Sequence, residues 1–288
     1  MLVEITDVFL RDGLQDEHVI VSTAEKLAIA AGLQEAGVRR MEVASFVNPK
    51  KVPQMADAAE LFAAKPDNAA TWTGLALNRR GVERALAAGG DEIQVVTSAS
   101  NAHSSANAGA STEAMLTNLT DAIRDAGVVA SERFFAGIST AFTCPFEGVI
   151  PAERVVDLVG AFRDAGITEI GLADTLGTAE PALVLDTVRA VQSEVSGITL
   201  SLHLHNAHGR ALETVTAAVD QGITRFDAAL AGFGGCPFAP GAAGNLDTLE
   251  LVHHLHALGL DTGIDAGALA DLSDRARASV SAAQPITV

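Results

Sequence analysis

Eight short β-branched or apolar runs recur along the chain, each followed by a longer Ala/Leu/charged stretch at helical apolar spacing, at intervals of about thirty residues. The runs are 3–9, 40–45, 70–77, 92–98, 134–140, 169–174, 199–205 and 225–231. A strand followed by a helix rejoins its sheet in parallel, through a crossover. Eight such units within 288 residues predict an α/β fold, a parallel (β/α)8 TIM barrel, with a doubly wound open sheet as the competing architecture. Local signals agree with this rhythm. Ser22-Thr23-Ala24-Glu25 reads as a capping box, Pro151 and Pro181 suit a first helical turn, and Gly37, Gly127, Gly166 and Gly222 stand where helices should end. No stretch reads as an interdomain linker. Residues 1–265 are therefore expected to form one barrel, and residues 266–288 a short helical extension packed outside it.

Composition narrows the function. With 19 Lys+Arg against 36 Asp+Glu, the net charge of −17 has the wrong sign for holding a phosphate backbone, so nucleic acid is not an expected partner. The two cysteines, Cys144 and Cys236, have no CxxC spacing, which argues against a disulfide framework or a thiolate zinc site and for a reducing cytoplasm. The opening Met-Leu-Val-Glu-Ile-Thr-Asp carries neither a basic nor an apolar leader. The uncharged stretch 228–246 is too rich in glycine and proline for a membrane helix and reads as a functional loop.

Enzymes of this architecture keep their chemistry at the C-terminal ends of the strands, and most unusual polar residues fall there. His203 and His205 are two apart on a predicted strand, so both imidazoles face the barrel interior. Such a pair can chelate one metal, or it can be two interior histidines satisfied by hydrogen bonds. Asp12 could add a carboxylate from across the mouth. Imidazole with hard oxygen donors suits Mg, Mn, Fe or Zn. Arg11, beside Asp12, is either half of an ion pair or a positive group for an enolate oxygen. Glu42, inside the apolar run Met41-Glu42-Val43-Ala44-Ser45, needs a partner, and Arg11 is the economical one. Asp174 either takes part in the chemistry or caps the next helix. Cys144 is expected to pack in the core, whereas Cys236, behind Gly232-Phe233-Gly234-Gly235, is expected on a mobile loop with a role in proton transfer.

Several segments together resemble the 3-hydroxy-3-methylglutaryl-CoA lyase family, within a wider group of metal-dependent barrel lyases and Claisen-condensing synthases. They are Arg11-Asp12-Gly13-Leu14-Gln15-Asp16-Glu17, Ser45-Phe46-Val47-Asn48-Pro49-Lys50, Val52-Pro53-Gln54-Met55, Cys144-Pro145-Phe146-Glu147-Gly148 and the run from Ala231 through Gly235-Cys236-Pro237 to Asn245. The resemblance implies that Asp12, His203, His205 and Asn245 are ligands of a divalent metal, Mg2+ or Mn2+. It further implies that Arg11 stabilises an enolate, that Cys236 is a loop cysteine of the reaction, and that Glu42 and Asp174 are acids important to activity. The implied chemistry is retro-Claisen cleavage of a 3-hydroxyacyl thioester to acetyl-CoA and acetoacetate or analogous products, by a cytoplasmic homodimer acting on an acyl-CoA or a related 3-hydroxyacid.

The chain departs from that pattern at three places. Phe135-Ala136-Gly137 stands where an Arg-x-Tyr pair is usual, Asn206-Ala207-His208 replaces Asp-Thr-Tyr, and His18 replaces a basic residue. These changes point to a different 3-hydroxyacid, bulkier or not a CoA ester. A condensing synthase of the isopropylmalate or homocitrate type is the rival within the same chemistry, although Leu14 stands where those enzymes have Glu. A catalytically silent barrel serving as a binding module is the rival from another class.

Overall fold

The computed structural model describes residues 1–67, 70–235 and 243–286. Its eight main strands are β1 Glu4–Asp7, β2 Arg40–Ser45, β3 Thr71–Ala76, β4 Glu92–Ser98, β5 Phe134–Ser139, β6 Glu169–Asp174, β7 Thr199–Leu204 and β8 Arg225–Ala228. They close in the order β1-β8-β7-β6-β5-β4-β3-β2, with every pairing parallel. The closed barrel is thus the fold, and the open sheet is excluded. Alternate apolar side chains such as Ile93 and Val95, Ile170 and Leu172, and Leu202 and Leu204 are buried against the surrounding helices.

The helices are α1 Thr23–Glu35, α2 Ala58–Ala63, α3 Arg79–Ala87, α4 Asn101–Ala108, α5 Thr112–Asp125, α6 Ala130–Arg133, α7 Ala152–Asp164, α8 Pro181–Glu194, α9 Ala211–Asp220, α10 Thr248–Ala257 and α11 Ala266–Ala282. Ser22 caps α1 by accepting from the Glu25 amide at 3.3 Å, but Glu25 itself turns to Arg275 of α11 instead of closing the box. Gly37, Gly127, Gly166 and Gly222 all end their helices with positive φ. The extension α11 packs against α1 so closely that a Cβ on Gly32 would lie 2.4 Å from the Leu272 side chain. No described helix is long and apolar enough to cross a membrane.

Two strand ends fall short of the sequence expectation. β1 stops at Asp7 because the chain coils at Phe9–Gly13, and β8 stops at Ala228 because the chain turns at Leu230–Gly232. Nor is each strand followed by one helix. β5 leads first into a hairpin of Thr143–Cys144 and Gly148–Val149, and three helices, α4, α5 and α6, follow β4.

The N-terminal end of the barrel is plugged by charge. Arg40 reaches Glu92 at 2.7 Å and also pairs with Glu169, Arg225 pairs with Glu169, and the Phe135 ring lies 4.4 Å from the Arg40 guanidinium.

Asp7 lies outside the barrel lumen, fully buried, accepting from the Thr248 hydroxyl at 2.7 Å and the Phe9 amide at 3.0 Å. Burial is the main cause that raises its pKa from 3.8 to about 7, against the pull of those hydrogen bonds. A raised acid favours the folded state below its unfolded pKa, and that contribution disappears as pH rises through its folded pKa. Asp7→Asn keeps an acceptor for Phe9 and cannot ionise. Thermal unfolding should therefore show the variant gaining on the wild type by roughly 2 kcal/mol between pH 5 and pH 8. An unchanged gap at the two pH values contradicts this.

Candidate active site

The turn after β1 carries Arg11 and Asp12. The Val8 carbonyl accepts from the amides of Asp12 at 2.8 Å and of Arg11 and Gly13 at 3.2 Å, which winds the backbone into one tight coil at the barrel mouth. Gly13 permits the coil, since a Cβ there would lie 3.0 Å from the Phe9 ring. Phe9 in turn meets Phe233 edge to face at 5.5 Å, tying the first loop to the last.

Arg11 is buried between two carboxylates, Asp12 and, at 2.5 Å, Glu42. Their charges more than offset its desolvation and raise its pKa. Burial pushes Glu42 up to about 7 against the pull of Arg11. Burial also works against charge on Asp12, yet Arg11, His203 and His205 together hold it down at about 2, so it is a carboxylate at neutral pH.

His203 ends β7 and His205 follows it. Their Nε2 atoms lie 3.2 Å apart, and Asp12 Oδ2 is 3.9 Å from His203 Nε2. The outer nitrogens decide the protonation. His205 Nδ1 donates to the Ala243 carbonyl at 2.8 Å, and His203 Nδ1 faces Asp227 Oδ2 at 3.2 Å. A carbonyl or carboxylate oxygen accepts, so each Nδ1 carries a proton, and the two Nε2 atoms either share a further proton or turn their lone pairs to a cation; against the cost of burial, Asp227 and Asp12 raise the pKa of His203, which places that shared proton on His203. Burial and the neighbouring His203 hold His205 down to about 4, which keeps that lone pair available.

Asn245 completes the cluster. The segment 243–246 runs antiparallel to the end of β7, with Leu246 N donating to Leu204 O at 3.0 Å and Asn245 bridged to His205. Its Nδ2 donates to Asp12 Oδ2 at 2.7 Å and Phe233 O at 2.9 Å, while its buried Oδ1 has no partner among the described residues. Gly234 is required by this closeness: its φ is +102°, and a Cβ would stand 2.5 Å from Asn245 Nδ2. Asp12, His203 and His205 offer ligand atoms within 4.8 Å of one another, and the orphaned Asn245 oxygen lies beside them. Two imidazole lone pairs, one carboxylate and one amide oxygen fit a divalent cation.

The remaining expected residues separate. Asp174 accepts from the Ala179 amide at 3.0 Å and so organises the turn before α8, while its Oδ1 is buried without a partner among the described residues. Cys144 is buried, with its thiol donating to Ser100 Oγ at 2.9 Å. Cys236 lies outside the described residues, although Gly235 before it lines the cavity of about 140 Å3 that also contains Arg11, Asp12 and the two histidines. Lys50 and Arg80 border a second cleft together with Arg84, whereas Arg79 turns away to Asp125 at 2.8 Å. Asp227 was not singled out by sequence reasoning. Its signal is weaker than that of Glu42: Asp227 stands between Phe226 and Ala228 in a strand that also carries Arg225.

Removing the Asp227 carboxylate should loosen the ring that it orients. Asp227→Ala is expected to weaken Mn2+ binding by roughly 10- to 100-fold in calorimetric titration. Affinity equal to the wild type would show that His203 is oriented by something else.

With this geometry in view, comparisons with known proteins agree. The mitochondrial hydroxymethylglutaryl-CoA lyase of Macaca fascicularis is 39% identical over 264 residues, covering 91% of this chain and 81% of that protein. The (R)-citramalyl-CoA lyase of Chloroflexus aurantiacus is 39% identical over 300 residues, covering 99% and 93%. The structure of an HMG-CoA lyase from Acinetobacter baumannii, in complex with coenzyme A and 3-methylmalate, superposes with a TM-score of 0.92 at 38% identity, over 99% of this chain and 93% of that one. The HMGL-like family model matches residues 2–275, and the chain belongs to that family.

Proposed function

We propose that the protein is a carbon–carbon lyase that cleaves a 3-hydroxy-3-methylglutaryl-CoA-type thioester between C2 and C3, giving acetyl-CoA and acetoacetate or their analogues. The observation that carries this is the convergence of two Nε2 lone pairs, the Asp12 carboxylate and the orphaned Asn245 oxygen beside Arg11. Asp12, His203, His205 and Asn245 hold a divalent cation, Mg2+ or Mn2+ by its mixed nitrogen and oxygen donors. When bound, such a cation lowers the pKa of a substrate hydroxyl and orients it.

The protein's own groups do the rest. The C3 hydroxyl proton passes to a basic group of the mouth, Asp12 or a histidine, and a carbonyl forms at C3 as the C2–C3 bond breaks and its electron pair passes into the thioester enolate. Arg11, fixed by Asp12 and Glu42, places positive charge against that enolate oxygen. Cys236 gives C2 its proton, and the cavity lining at Gly235 supports its nearness. Asp174 contributes by holding the turn after β6 at the mouth. For a CoA ester, Lys50, Arg80 and Arg84 provide local positive charge on a chain of net charge −17.

A citramalyl-CoA-type thioester is the second reading, supported by the Chloroflexus relative that covers 99% of the chain. In the same proposal residues 1–265 are the catalytic unit and 266–288 its extension. The enzyme acts in the cytoplasm as a homodimer, on a small molecule and not on nucleic acid or membrane, a view supported by its acidity and few cysteines.

Incubation with 3-hydroxy-3-methylglutaryl-CoA should release acetoacetate only when Mg2+ or Mn2+ is present. His203→Ala should lose metal affinity and activity together. Cys236→Ala should keep metal affinity and lose roughly 10²- to 10⁴-fold in turnover. No cleavage of any 3-hydroxyacyl thioester by the metal-loaded protein contradicts the reaction class, and full activity of the Cys236 variant removes that residue's role.

A further inference from the structure

The carboxylate of Asp7, 1% exposed, lies where three pieces of the mouth meet. One oxygen accepts from the Phe9 amide at 3.0 Å, at the start of the coil that carries Arg11 and Asp12. The other accepts from the Thr248 hydroxyl at 2.7 Å, at the start of α10 and three residues after Asn245. The backbone of Leu230 hydrogen-bonds the same carboxylate, at the start of the turn Leu230–Gly232. Residues 230 and 248 are the two ends of the stretch that contains Cys236 and Asn245, and one side chain from β1 holds both. The main chain runs alongside, with Val8 N donating to Ala228 O at 2.8 Å and Thr248 N to Ala229 O at 3.1 Å.

These bonds are made against a cost. Ala231, next to Leu230, has a φ of +58°, a conformation that residues with a Cβ rarely adopt, so the turn must be held from outside. Ionisation of Asp7 is opposed by burial and by its charged neighbour Asp247, which caps α10 and lies 4.0 Å from Arg277. The pKa of Asp7 accordingly stands at about 7. An amide of the same shape would avoid that cost, yet it has one accepting oxygen and would face a donor with its own NH2. Only a carboxylate turns both oxygens to these three donors.

We propose that Asp7, as a carboxylate, is a positioning residue of the reaction, a clamp that fixes the Arg11–Asp12 coil against both ends of the stretch 230–248. Asp7 does not line the cavity, so it acts by holding Arg11 and Asp12 in place relative to Asn245 and Cys236. Displacement of reacting groups by about 1 Å costs up to roughly 100-fold in rate, so a loosened clamp shows in turnover before it shows in the fold. Protonation gives the carboxyl a donor of its own, which replaces one of the three bonds it accepts. The clamp is therefore tighter above neutral pH than below it, although Asp7 stabilises the folded state less there. Its effect on turnover rests on the lyase reading above, whereas the clamp itself needs no substrate.

The test compares wild type, Asp7→Asn and Thr248→Val, all loaded with Mn2+, at about pH 6 and about pH 8, either side of the Asp7 pKa. With 3-hydroxy-3-methylglutaryl-CoA, Asp7→Asn is expected to lose about tenfold in kcat at the higher pH with little change in KM, and to lie within about threefold of the wild type at the lower. The ratio of the two proteins cancels the titrations that they share. Thr248→Val removes one donor while keeping the shape, and should lose about threefold at the higher pH. Over the same interval Asp7→Asn gains stability on the wild type, so turnover and stability move in opposite directions, which a residue that only supports the fold would not produce. Hydrogen exchange reads the clamp without substrate: at the higher pH the amides of Phe9–Gly13 and Leu230–Gly232 should exchange at least about tenfold faster in Asp7→Asn. Exchange and kcat equal to the wild type there, or an equal loss of kcat at both pH values, overturns the clamp. Failure of the wild type to cleave any 3-hydroxyacyl thioester overturns the reaction class instead, and exchange still decides the clamp.

Discussion

The placement of two protons organises this site. Asp227 and the Ala243 carbonyl each engage an imidazole Nδ1, which leaves two Nε2 atoms facing each other 3.2 Å apart, where a shared proton or a cation bridges them. Two lone pairs at that distance repel unless a positive centre lies near both. The sources of the two contacts explain much of the fold's local detail. Asp227 comes from β8, the register neighbour of β7, and Ala243 comes from the segment that returns beside the end of β7. Gly234 and Gly244 are needed for that return: a Cβ on Gly244 would stand 2.2 Å from the Gly232 carbonyl.

A second constraint is the handling of carboxylates. The chain gathers the buried Glu42 and Asp174 and the part-buried Asp12 and Asp227 around one mouth while its net charge is −17, so repulsion must be answered locally. Arg11 answers it for Asp12 and Glu42, backbone amides answer it for Asp174, and an imidazole N–H answers it for Asp227. Arg11 is consequently held by two anions and is placed without freedom to wander, which is what stabilising a transient enolate requires. Arg40 and Arg225 serve the same purpose at the other end, where the charges plug the barrel.

Much of this was legible in the sequence, for identifiable reasons. The strand–helix rhythm predicts the barrel because a parallel strand needs a crossover, and six of the eight strands begin and end within one residue of their expected limits, β1 and β8 being the exceptions. Glu42 was paired with Arg11 correctly because an acid inside an apolar strand must find a cation. Local pattern failed where tertiary structure overrides it. Nothing in Phe9–Gly13 announces a coil held by one carbonyl, since that depends on Phe233 and Gly13 meeting in space. Asp227 is less legible than Glu42, because its strand also carries Arg225 and its partner, His203, comes from another strand. The direct pairing of Gly137 with Gly171 is invisible without register, being 34 residues apart in sequence.

On the proposed function, one cation sits where the two Nε2 atoms converge. Anomalous difference density from crystals grown with Mn2+ tests it without reference to substrate. A single strong peak is expected about 2.0–2.3 Å from His203 Nε2, His205 Nε2 and an Asp12 oxygen, with the Asn245 Oδ1 facing it. A protein saturated with Mn2+ whose peak lies elsewhere, with the imidazoles still 3.2 Å apart and empty between them, would contradict it.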